Sequence, residues 1–61
     1  MVYTEELIDY DSNGKPKRML LVDSVSDDLS ERTDLGIGSV AYAREETNKV
    51  QLLTETGWEA L

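Results

Sequence analysis

Sixty-one residues allow one small domain: 39% are hydrophobic, and 13 Asp and Glu outnumber 6 Lys and Arg for a net charge of −7. With no cysteine and no histidine, disulfide and zinc staples and every Ser–His or Cys–His catalytic pair are excluded. No apolar run nears the ~18 residues of a spanning helix, and the acidic balance lacks the cationic face that nucleic acid or an anionic membrane requires.

Surface scaling buries roughly 60% of such a chain, worth about 90 kcal/mol, and ordering its residues costs about the same. A lone monomer is therefore expected to be marginal, and self-association is the remaining source of stability. Met1–Leu7 has neither the basic nor the apolar region of a signal peptide, so cytosolic synthesis without export is expected.

Residues 1–23 read as a β-hairpin. Val2-Tyr3-Thr4 and Leu7-Ile8-Asp9-Tyr10 are rich in aromatic and β-branched residues, and Asn13-Gly14 is a strong hairpin turn signal. Met19-Leu20-Leu21-Val22 supplies the return strand, with Pro16 at its start because proline has no N–H to donate. A helix over Thr4–Asp11 competes, but Leu7, Ile8 and Tyr10 fit its period only loosely. Residues 24–35 form a polar, acidic loop or a single helical turn capped by Ser26, tacked down by Leu29 and Leu35.

Residues 36–61 read as a three-stranded meander with turns near Glu45–Asn48 and Glu55–Gly57. Alternation places Val40 and Tyr42, Val50 and Leu52, and Trp58 and Ala60 on one face each. The economical arrangement makes these six one core face, helped by Leu7, Leu21 and Ile37, with Arg44, Gln51 and Glu59 outward. The expected fold is all-β: an N-terminal hairpin plus a C-terminal three-stranded antiparallel meander, as a small open barrel or sandwich.

Few constellations carry chemistry. Asp9-Tyr10-Asp11-Ser12-Asn13-Gly14 opens like a calcium loop, making Asp9, Asp11 and Asn13 candidate ligands. The match then fails, because Leu20 stands where the bidentate Glu belongs. A turn in which Asp and Asn bind their own backbone is favoured. Asp27 and Asp28 are adjacent and diverge, so they make a poor acid–base pair. Gly36-Ile37-Gly38-Ser39 lacks the lysine and helix of a phosphate loop and reads as turn glycines. Lys15, Lys17 and Arg18 read as charges that discourage sheet pairing at an edge. Trp58 reads as a core residue, or else an interface anchor. No enzyme and no cofactor are expected.

The stretches Val22-Asp23-Ser24-Val25, Gly38-Ser39-Val40-Ala41-Tyr42, Thr47-Asn48-Lys49-Val50 with Leu52, and Gly57-Trp58 share a sequence pattern over residues 22–61. It resembles small virion proteins of tailed bacteriophages, of the head-fibre or capsid-associated type. The resemblance implies a non-enzymatic virion component that self-associates or docks on capsid or tail, made in the host cytoplasm and then carried in the virion. The alternative is an acidic protein-binding module or a DNA-mimic inhibitor of a basic host protein. The expected partners are further copies of the chain and other virion proteins, not nucleic acid or membrane. A dimer or trimer is expected, with Tyr3, Ile8, Tyr10, Leu20 and Leu53 at the interface, because these residues are left over once one core face is filled.

Overall fold

A computed structural model describes all 61 residues. Five strands carry the chain: β1 (Val2–Tyr10), β2 (Pro16–Val22), β3 (Val40–Ala43), β4 (Val50–Thr54) and β5 (Gly57–Ala60), with one helical turn, α1 (Val25–Asp28), between β2 and β3. They form a single open sheet in the order β1-β2-β3-β4-β5. Hairpin and meander are both present, and the segment over Thr4–Tyr10 is strand. What joins them is a parallel pairing of β2 with β3, Met19 opposite Val40 and Val22 opposite Ala43. β2 is therefore an interior strand, and the Lys15, Lys17 and Arg18 charges do not guard an edge.

The hairpin turn owes its shape to Asp11 and Gly14. Gly14 sits at φ 81°, a left-handed conformation that L side chains rarely adopt. Asp11 Oδ1 accepts from the Asn13 and Lys15 amides at 2.9 and 2.8 Å, and Oδ2 from the Ile37 amide at 3.2 Å. One carboxylate thus closes its own turn and moors the approach to β3. Gly36 is held there for a different reason: a Cβ would lie 2.6 Å from the Lys15 carbonyl oxygen, while its amide donates to the Pro16 carbonyl at 2.7 Å.

Residues 23–39 cross over one face of the sheet and form the lid of the core. α1 starts after Ser24, whose side chain makes no capping bond; the expected Ser26 cap is not used. Its N-terminal amide at Val25 is taken instead by Glu46 Oε2 at 2.6 Å, from the β3–β4 turn. Asp28 Oδ2 turns back to accept from the Asp23 and Ser24 amides. These bonds pin the lid, and Val25, Leu29 and Leu35 descend from it onto Leu20, Val22, Ala41 and Ala43.

The core lies on the opposite face from the one the alternation suggested. Ala41 and Ala43 are fully buried, Tyr42 is 45% exposed and Val50 is 40% exposed. Gln51 also faces inward, its amide nitrogen donating to the Asn48 carbonyl at 3.0 Å. Of the six residues expected to line the core, only Trp58 packs against it, beside Leu53 and Val2. The physical reason is the lid. Leucines arriving from above fill the volume, so the strand positions beneath must be small.

Candidate interaction surface

Residues paired directly across strands share a face, so the register defines what the second face of the sheet presents. Met19 stands opposite Val40, Leu21 opposite Tyr42, Val40 opposite Leu52, and Tyr42 opposite Val50. Six apolar side chains from three adjacent strands therefore lie side by side on the face the lid does not reach. Met19, Tyr42 and Val50 are exposed by 40% or more, while Leu21, Val40 and Leu52 are half-buried among them. No charged residue interrupts the six. Thr4 and Glu6, opposite Leu21 and Met19, border them on β1, and Glu59, opposite Leu52, on β5. A shallow depression of about 410 Å³ opens at one end of this face, lined by Ile37, Gly38, Leu52, Thr54 and Glu59 among others.

A sheet needs one covered face to be stable and often leaves the other polar. Here both faces are apolar. Scattered surface apolars need no explanation, whereas a contiguous set is a candidate contact surface.

Comparisons with protein families, curated proteins and solved structures return no match.

The residues singled out in the sequence are dispersed. Tyr3, Ile8 and Tyr10 are exposed along β1, an edge strand whose pairing with β2 is irregular between Val2 and Thr4 and between Leu7 and Asp9. Tyr3 is not a free anchor. Its hydroxyl donates to Asp23 at 2.8 Å, which raises its pKa, and the Arg44 guanidinium lies 4.8 Å from its ring centroid. Leu20 is 1% exposed and belongs to the core, so it is unavailable to an interface. Leu53 faces the core with Trp58 rather than the uncovered side. Both departures follow from the inverted face assignment.

The calcium-like motif folds as a turn. Asp11 spends its oxygens on three backbone amides, the Lys15 amide foremost, and its pKa falls accordingly. Asp9 accepts from the amide of Tyr10, and no group of three acidic side chains converges to hold a metal ion. Ser39, read as part of a turn, has a sharper role: fully buried, it donates to the Gly36 carbonyl at 2.8 Å and accepts from the Arg18 amide at 3.0 Å. It ties the lid's exit to β2, a task legible only once β2 and β3 are known to be neighbours.

An ion cluster fastens the lid's other edge. Arg32 forks onto Glu5, at 3.1 and 2.7 Å, and onto Asp34, at 2.8 and 2.9 Å. The guanidinium holds the Asp34 carboxyl down at about 2 and lowers that of Glu5, while both carboxylates raise Arg32. Arg18 Nε approaches Glu5 at 3.3 Å without the alignment of a hydrogen bond. These ion pairs clasp the lid to β1.

Proposed function

We propose that this chain is a non-enzymatic structural and interaction protein, a component of a bacteriophage particle that associates through the uncovered face of its sheet. The observation that carries the reading is the uninterrupted row of Met19, Leu21, Val40, Tyr42, Val50 and Leu52 on the unlidded face of the sheet. Exposed apolar surface of this kind disfavours solubility in a free monomer and serves a subunit of an assembly. The resemblance of residues 22–61 to small tailed-phage virion proteins supplies the kind of assembly.

The disposition of the carboxylates weighs against a DNA mimic. Glu5, Asp11, Asp23, Asp28, Asp34 and Glu46 all accept hydrogen bonds within the chain. A mimic needs its acidic groups free and in a row to meet a basic target.

Mass spectrometry of gradient-purified particles from cells producing the chain tests the proposal. The chain should copurify with mature particles through a high-salt wash. Recovery solely in the soluble fraction, with particles free of it, would overturn the reading.

A further inference from the structure

We infer that a second copy of the chain covers the open face, two sheets packing face to face about a two-fold axis into a four-layered dimer of lid, sheet, sheet and lid. The inference rests on the reading of that face as a contact surface and adds the identity of its occupant.

Five strands about 4.8 Å apart, with about five residues each at 3.3 Å, present roughly 400 Å² in projection. Two such faces in contact remove on the order of 1,000 Å² of accessible surface, the lower bound of a specific interface. A single copy exposes 3983 Å² in all and measures 30 × 22 × 19 Å. A larger flat partner would leave part of itself uncovered at the borders, whereas another copy matches the outline by construction.

A two-fold contact sets residue i against j and j against i, and groups on the axis against their own kind, so a self-packing patch must be uncharged at its centre. The six central residues meet that condition although the chain carries −7 overall. The charged groups on this face stand only at its borders, Glu6 on β1, Lys17 at the start of β2 and Glu59 on β5. Two copies therefore repel through their net charge of −7 while attracting through their centres. Salt screens the first and leaves the second. A dimer of this design tightens as salt rises, whereas a complex with a cationic partner would loosen.

Sedimentation equilibrium of the intact chain from 10 µM to 1 mM, in low and high salt, tests the inference. The mass should climb from 6.9 kDa toward twice that value, with half-conversion on the order of 100 µM, a weak interface of minimal area. High salt should shift the midpoint about twofold or more to lower concentration. Tyr42→Lys should raise the dissociation constant about tenfold or more, whereas Ser30→Lys, the same charge change on the lid, should not. Should Tyr42→Lys fail to keep the Trp58 emission of the parent, Val50→Thr and Met19→Thr serve in its place. Isotope-filtered NOEs between copies should link Met19, Tyr42 and Val50. A single 6.9 kDa species at 1 mM in both salts, a mass beyond the dimer, or intermolecular contacts confined to Tyr3, Ile8 and Tyr10 would each overturn it. A strict monomer that still copurifies with particles would remove the dimer alone; a dimer absent from particles would remove the particle reading alone.

Discussion

Exchanging bulk between the two faces of β3 tests which face is the core. Ala41 is fully buried beneath the lid, level with Leu20 of β2 and under the leucines of residues 23–39. Ala41→Val adds two methyl groups where no space is left, and overpacking of that size costs about 1–3 kcal/mol. In a domain of about 60 residues each kcal/mol moves the melting temperature by about 4–8 °C, so a fall of roughly 4–24 °C is expected. Tyr42→Thr, one residue along, removes far more mass but from a side chain that is 45% exposed. Threonine keeps the strand preference, and the cost should stay below about 1 kcal/mol. Both variants are melted at low micromolar concentration, where the chain is monomeric, following far-ultraviolet dichroism and the fluorescence of Trp58. The reasoning is refuted if Tyr42→Thr lowers the melting temperature more than Ala41→Val does.

Three further outcomes follow from the lid and its fastenings. Ser39→Ala leaves the Arg18 amide without the hydroxyl it donates to, while the Gly36 carbonyl keeps the Ser39 amide at 3.1 Å, and should cost about 1–3 kcal/mol in urea unfolding; an unchanged midpoint would show that the hydroxyl is dispensable. Gly36→Ala drives a Cβ into the Lys15 carbonyl at 2.6 Å, and should lower the melting temperature by several degrees, whereas Gly14→Ala meets open space and bears only the φ 81° strain. Glu5, Asp11 and Asp34 all have folded pKa values below their unfolded ones. Their stabilisation is complete above about pH 4.5 and is lost as pH falls through the folded values toward about 2, the value held by Asp34. Melting temperature should therefore decline steadily from pH 5 to pH 2, less steeply in Arg32→Gln; a flat profile in the parent chain would contradict the ion cluster.

Strand identity was legible because it rests on local chemistry. Gly14, beside the Asp11 carboxylate, made the hairpin turn, and the polar run of residues 44–49 and the Glu55-Thr56-Gly57 turn separated the meander strands. Facing was not. Val40-Ala41-Tyr42-Ala43 alternates large with small, and an isolated strand buries its larger residues. The lid reverses that preference, since Leu29 and Leu35 bring their own volume and need alanine beneath them. Whether a loop covers a sheet, and which side it takes, depends on the β2–β3 pairing, and nothing local encodes a contact between residues so far apart in the chain. The open face was hidden by the same step: assigning its residues to the core left the wrong ones for an interface.

The parallel pair also shapes how the chain reaches this structure. Each antiparallel hairpin closes over a short turn and can zip on a microsecond scale. Neither gains a core by doing so, because the residues that cover the sheet lie in the segment between them. Bringing β2 beside β3 closes a longer loop, and its entropy must be surrendered before Leu29 and Leu35 return anything. The barrier to folding thus sits at a junction that neither hairpin contains. Substitutions in either hairpin turn should mainly speed unfolding, while Ala43, Val22 and Leu29 should govern the folding rate.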